Sequence, residues 1–315
     1  INEPVIIIGA PRSGTSLMQQ ILRGHGAFAS VAKESQAIWG PYTDPVGNGW
    51  VAEGPAEGAI DTAAIAAIRK AFDESVLPAR VWRWWERVAV LRSGAPPRVR
   101  RAIDAAYAGV TRVLRAVRRG GGDRPAVRRL VDKSVHAGLW LDLVDEVFPD
   151  ARYLYMQRDG RDTVASMLRG WLDPHRFFTY RPPVPLAIPG YPYPEWNFPL
   201  PPGWREYVAE PLERVVAFQW RAIHEAIQVH FAVPGRAGRV LPVKLEALAA
   251  RPEAELRRVS DFVGADWNRY MARTASRLPV VNAGGAAAAD DPVAAMVERV
   301  RPELAAMQAR LGYPE

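Results

Sequence analysis

Two short stretches carry residues whose types and spacing could hold an anion. The first is GAPRSGTS, Gly9 to Ser16. It keeps both glycines and the final hydroxyl of the G-x-x-x-x-G-K-[ST] phosphate loop, but Thr15 stands where the lysine belongs. In nucleotide triphosphatases that lysine reaches the β and γ phosphates and the next hydroxyl holds magnesium, so its absence argues against triphosphate hydrolysis. What survives is an anion cradle. It consists of the backbone N–H groups of Ser13 to Ser16 at a helix N-terminus, the hydroxyls of Ser13, Thr15 and Ser16, and the cation of Arg12. Such a cradle suits a single phosphate with an attached leaving group. The second stretch is RDGRDTVAS, in which Arg158 ends a strand and Ser166 follows eight residues later on a helix. A bidentate guanidinium and a hydroxyl could converge there on one anion, at the carboxyl edge of a parallel sheet. Taken alone, the pair reads equally well as a surface arginine and a helix serine.

The elements that must position these residues follow from period and punctuation. Val5 to Gly9 is a short β-branched run ending in glycine, as a buried parallel strand should be. Thr15 to Arg23 places Leu17, Met18, Ile21 and Leu22 at helical spacing. Strands are expected at Phe28 to Val31, Arg129 to Asp132, Arg152 to Gln157 and Val240 to Lys244. Helices are expected from Asp61 to Arg119, including a Trp82 to Leu91 stretch, and at Ala137 to Val147, Thr163 to Trp171, Leu212 to Phe231, Pro252 to Val263 and Pro292 to Leu311. The result is an α/β fold, a P-loop-type central parallel sheet with helices on both faces. Between Pro174 and Trp204 the prolines forbid a helix interior and the aromatics argue against a linker, so an ordered functional loop is expected. Trp39, Tyr42, Phe177, Phe178, Tyr180, Tyr191, Tyr193 and Trp196 could line an acceptor pocket for a ring or sugar, or pack as core.

With 315 residues, 49% of them hydrophobic, the chain can bury one large core, and one domain is expected. No cysteine occurs, which excludes disulfides and thiolate metal sites and points to a reducing cytoplasm. The run VIIIGA is far short of the ~20 apolar residues of a membrane span, so no membrane partner is expected. His25, His136, His175, His224 and His230 show no paired ligand spacing, and no metal is expected. A net charge of +7 suggests an anionic partner. Nucleic acid, an anionic membrane and a phosphorylated small molecule all fit that charge, and the arginine clusters read best as solvated helix faces.

At its two anion motifs the chain resembles the sulfotransferases that use 3'-phosphoadenosine 5'-phosphosulfate (PAPS). PRSGTS is similar to that family's 5'-phosphosulfate loop and RDGRDTVAS to its 3'-phosphate motif. The resemblance covers roughly the first 35 residues, 129 to 171 and 240 to 267. It implies PAPS as co-substrate, 3'-phosphoadenosine 5'-phosphate (PAP) as product and no required metal, which accounts for the missing lysine. It implies that Arg12, Ser13, Gly14, Thr15, Ser16, Arg158 and Ser166 bind the nucleotide. Lys133, assisted by Arg12, would stabilise charge on the bridging oxygen as sulfate leaves. Leu245 stands where the family usually has a tyrosine. The expected domain is sulfotransferase-like over 1–315, with a helical insertion at about 55–128 and a Pro/aromatic insert at about 172–211.

Sulfuryl transfer also needs a base for the acceptor proton. Glu34, in VAKES just past the second strand, sits where tyrosylprotein and related Glu-type sulfotransferases carry a catalytic glutamate. His136 is the rival, because the cytosolic branch uses a histidine after a lysine, with Lys-x-His spacing against Lys133-to-His136 here. The resemblance implies a hydroxyl acceptor on a small molecule, glycan or peptide. Two other readings compete. A P-loop kinase would need the loop lysine and a magnesium aspartate. A nucleic-acid binder would show steep salt dependence and no preference for a 3'-phosphate.

Overall fold

A computed structural model describes residues 1–31, 35–78, 129–173, 177–278 and 291–314, with scattered residues between 96 and 113. Its architecture grows from β1 (Val5–Ile8), whose four apolar residues are all buried. Alternate side chains of a strand face opposite ways, so a strand without a polar residue requires cover on both faces. Ile6 and Ile8 enter one core with Tyr153 and Tyr155, whereas Val5 and Ile7 enter the other with Leu154 and Met156. The second core is closed by Met18, Ile21 and Leu22 of α1 (Thr15–Arg23) and by Leu256, Val259 and Val263 of a later helix.

Beside β1 lie β4 (Arg129–Lys133) and β5 (Arg152–Gln157), both parallel to it. The sheet is completed by β2 (Phe28–Val31), β3 (Val76–Pro78) and β8 (Val240–Lys244), in the order β3-β2-β4-β1-β5-β8. Only β3 runs antiparallel, at the edge. The expected α/β fold with a parallel sheet is therefore present, with one antiparallel edge strand added. The carboxyl ends of β4, β1 and β5 sit side by side, and they carry Lys133, the Gly9 loop and Arg158 respectively.

Helices follow as α2 (Gln36–Thr43), α3 (Thr62–Ser75), α4 (Leu141–Val147), α5 (Gly160–Leu172) and α6 (Leu212–Ala232). The later ones are α7 (Leu245–Ala250), α8 (Pro252–Val263), α9 (Arg269–Ala275) and α10 (Pro292–Arg310). Three expectations need correction. The helix expected from Ala137 to Val147 breaks at Trp140, which has φ −143°, into a 3-10 turn at Ala137–Leu139 and then α4. The helical reading from Asp61 is interrupted at Ser75, where the β-branched Val76 opens β3, while the described residues from 98 to 113 are helical as expected; the Trp82 to Leu91 helix lies outside the described residues. Helix α5 starts at Gly160 rather than Thr163, because the Asp159 carboxylate accepts from Arg161 N–H and caps it. The Pro-rich segment is ordered as expected. It forms a short antiparallel pair, β6 (Phe178–Tyr180) with β7 (Trp196–Asn197), over buried Leu200 and Trp204.

Candidate active site

The turn after β1 is built from backbone that side chains disfavour. Gly9 has φ +144° and packs so closely on Met156 O that a Cβ could not fit. Gly14 has φ +92° and starts α1. Between them Arg12 is left-handed, with φ 71°, a conformation uncommon for a residue with a side chain. Ser13 is buried and its hydroxyl donates to Ala10 O at 2.7 Å. Thr15 is buried as well, and Ser16 is exposed.

Arg12 joins the two anion motifs. Its Nε donates to Ser166 Oγ at 3.0 Å, across 154 residues of sequence. Arg158 Nη1 in turn donates to Arg12 O at 3.3 Å, and Arg158 Nη2 lies 3.5 Å from the Asp162 carboxylate. The Nε of Arg158 is buried and has no hydrogen-bond partner among the described residues. A buried unsatisfied guanidinium N–H is costly, and an anion between the motifs would relieve it. The donor set therefore fits a phosphate group. Arg161, by contrast, is engaged by Asp159 at 2.7 Å.

Lys133 ends β4 in register with Ile7 of β1 and is only 5% exposed. Beside it Asp132 is buried and accepts from Ser35 Oγ at 2.7 Å. Burial pushes the Asp132 carboxyl above its ordinary value, against the opposing pull of the Ser35 hydrogen bond. A carboxyl whose folded pKa is raised leaves the folded state binding more protons than the unfolded chain above the ordinary Asp range. Stability from this site is then lost as pH rises through that range. In Asp132→Asn, which keeps an oxygen for Ser35, denaturant-measured stability relative to wild type should increase as pH rises above the ordinary Asp range; a flat difference would refute the assignment. Glu34 itself lies outside the described residues, but its neighbour Ser35 is tied by this bond to the strand that carries Lys133.

His136 begins the 3-10 turn after β4, but its side chain caps nothing. Instead its Nδ1 lies 2.8 Å from Glu53 Oε2. The Glu53 side chain is fully buried and that of His136 is 14% exposed. The same carboxylate accepts from Leu200 N at 3.4 Å and from Trp140 Nε1 at 3.5 Å. Burial, with the Glu53 charge beside it, pushes the Tyr180 phenol far above its ordinary value. Glu53 has no motif around it in sequence, and only the fold reveals it.

The aromatic candidates divide. Trp39, Tyr191 and Trp196 are core, the last two against Trp171. Tyr42 and Tyr193 are partly buried against that core. Phe177 reaches the anion site, its ring 5.7 Å from the Arg12 guanidinium and stacked on Phe198 at 4.8 Å. Tyr180 meets Trp50 edge to face at 6.5 Å. The Phe178 side chain is not among those described. Through Phe177 the Pro-rich segment thus touches the phosphate loop at Arg12.

At the far edge, Leu245 packs on Gly14. An aromatic ring arrives nearby from elsewhere in the chain, since Tyr313 lies 4.3 Å from Lys244 Nζ and donates to Glu246 Oε2 at 2.8 Å. Among the described residues no group of three or more His, Asp or Glu is placed to hold a metal ion. No described helix is long and apolar enough to cross a membrane.

A family model described as the sulfotransferase family matches residues 4–181, more than half of the 315-residue chain. Among solved structures, sulfotransferase STF9 from Mycobacterium avium is similar, at 13% identity over 100% of this chain and 78% of that one, with a TM-score of 0.51. A sulfotransferase from Alicyclobacillus acidocaldarius aligns at 16% identity over 100% and 98% of the two chains, with a TM-score of 0.48. The sulfotransferase domain from the curacin biosynthetic pathway aligns at 14% identity over 100% and 99%, with a TM-score of 0.46. At such identities the likeness to STF9 speaks for the fold alone. Comparison with functionally curated proteins finds no match.

Proposed function

The chain belongs to the sulfotransferase family, and from that premise we propose that it moves a sulfuryl group from PAPS to a hydroxyl acceptor. The observation that carries the reading is the junction of the two anion motifs through Arg12, with the buried unpartnered Nε of Arg158 beside it. In this reading Ser13, Gly14, Thr15 and Ser16 cradle the 5'-phosphosulfate, while Arg158 and Ser166 hold the 3'-phosphate. A donor with one phosphosulfate and no γ-phosphate requires neither the lysine missing at Thr15 nor a metal. A kinase would require both.

Transfer is in line. The acceptor oxygen bonds to sulfur as the bond from sulfur to the 5'-phosphate oxygen breaks, and that oxygen keeps the electron pair. Lys133, with Arg12, neutralises the charge gathering there. The base takes the acceptor proton, leaving PAP and a sulfate ester. Glu34 is the proposed base, as in the tyrosylprotein-like branch. A second reading has a specific observation behind it. The buried Glu53 carboxylate holds His136 at Nδ1, which assigns the proton to Nδ1 and leaves Nε2 as acceptor, the arrangement a histidine base needs. The whole chain, 1–315, acts as one sulfotransferase-like domain in a reducing cytoplasm. Its Pro/aromatic insert faces a small-molecule, glycan or peptide acceptor, and neither nucleic acid nor membrane is a partner.

Paired variants decide between the bases, with turnover read as PAP released from PAPS in the presence of phenols, alcohols or water. Glu34→Gln should keep PAP affinity and lose turnover by about a hundredfold or more. If Glu34→Gln turns over normally and Glu53→Gln carries that loss instead, the base is His136. Normal turnover in both variants removes both assignments.

A further inference from the structure

The peptide N–H groups that follow Arg158 are not available to an anion. Asp159 N donates to Glu246 Oε1 at 2.9 Å, and Gly160 N donates to Gln308 Oε1 at 2.7 Å. Both belong to the turn into α5, where backbone donors at a helix start would ordinarily be open to a phosphate. Here they are held by a carboxylate from α7 and an amide from α10. The Glu246 carboxylate is itself held, its other oxygen accepting from Tyr313 OH at 2.8 Å. Tyr313 is fixed in turn: Lys244 Nζ stands 4.3 Å from its ring and donates to Gly312 O at 2.6 Å. Gly160 leaves no slack on the inner side, since a Cβ there would press on Trp220 and on Gln308 Oε1.

The consequence for the anion site is geometric. The amide of Asp159 is the peptide unit that leaves Arg158, so a bond to it fixes the backbone from which the Arg158 guanidinium is projected. With both turn amides committed to protein acceptors, an anion beside Arg158 would be read chiefly by the side chains of Arg158 and Ser166. A bidentate guanidinium discriminates only when its base is rigid.

We infer that Tyr313, acting through Glu246, is a positioning residue for Arg158 and so sets the preference of the site for a 3'-phosphate. This rests on the donor reading proposed above, and the test separates the two. PAP and adenosine 5'-monophosphate, which lacks the 3'-phosphate, are titrated calorimetrically into wild type, Tyr313→Phe and Gln308→Leu. Tyr313→Phe keeps the ring over Lys244 and removes a single hydroxyl. The expected result is PAP binding weakened about five- to tenfold in each variant, with the monophosphate and the melting temperature nearly unchanged. Gln308→Leu acts on the neighbouring amide and gives an independent reading if Tyr313→Phe does not fold. If PAP and the monophosphate weaken together, or if the preference for PAP survives in Tyr313→Phe, the inference is overturned while the donor reading stands. If wild type shows no preference for PAP over the monophosphate, the donor reading fails and this inference with it.

Discussion

Lys133→Ala is expected to lower turnover of PAPS by about 10²- to 10³-fold while PAPS affinity changes little. The magnitude is that of one preorganised donor removed from the point where charge develops. Lys133 qualifies because it ends the strand beside β1, in register with Ile7, and is 5% exposed. A lysine in that position cannot be a solvated surface charge, whereas Lys70 is exposed and Lys244 is occupied with Gly312 and Tyr313. Because the charge on the leaving oxygen is absent in PAPS and appears as the bond to sulfur breaks, the effect should fall on kcat and on PAP, which keeps that charge, and not on binding of PAPS. A variant that folds normally and keeps wild-type kcat would remove Lys133 from the mechanism.

The second large effect is on binding. Arg158→Ala should weaken PAP by about a hundredfold, with adenosine 5'-monophosphate affected much less, because charge-assisted bidentate contacts are among the strongest a site can make. Arg158→Lys should recover only part of the loss, since a point charge replaces the planar fork. Arg158 also holds Arg12 O, so a melting temperature and the monophosphate titration are needed to separate loss of the anion contact from loosening of the loop. Equal weakening of both nucleotides would mean that Arg158 supports the loop and does not read the 3'-phosphate.

Much of this site is legible in the amino-acid sequence, for local reasons. The run VIII admits little but a buried strand, and the glycines at 9 and 14 mark a turn that needs left-handed backbone. Arg158 and Ser166 share one strand-to-helix unit, and the fold joins each of them to Arg12. The contacts that sequence hides depend on partners distant along the chain. Glu53 lies 83 residues from His136, Glu246 is 87 from Asp159, and Gln308 is 148 from Gly160. No periodicity encodes such pairs; they exist because the sheet order sets β4, β1, β5 and β8 side by side. The break at Trp140 is hidden as well, since the apolar residues on either side of it keep helical spacing. By its spacing from Lys133, His136 is the weaker of the two candidate bases. The fold gives its ring a buried carboxylate partner, which raises it to a full alternative to Glu34.

On the proposed function, two anion motifs meet to bind one bisphosphorylated nucleotide. Calorimetric titration of wild type with PAP, and separately with ATP and magnesium, tests this most directly. Tight binding of PAP and weak or undetectable binding of ATP are expected. Tighter binding of ATP, or binding of neither, would contradict the proposed function and send the search for the donor elsewhere.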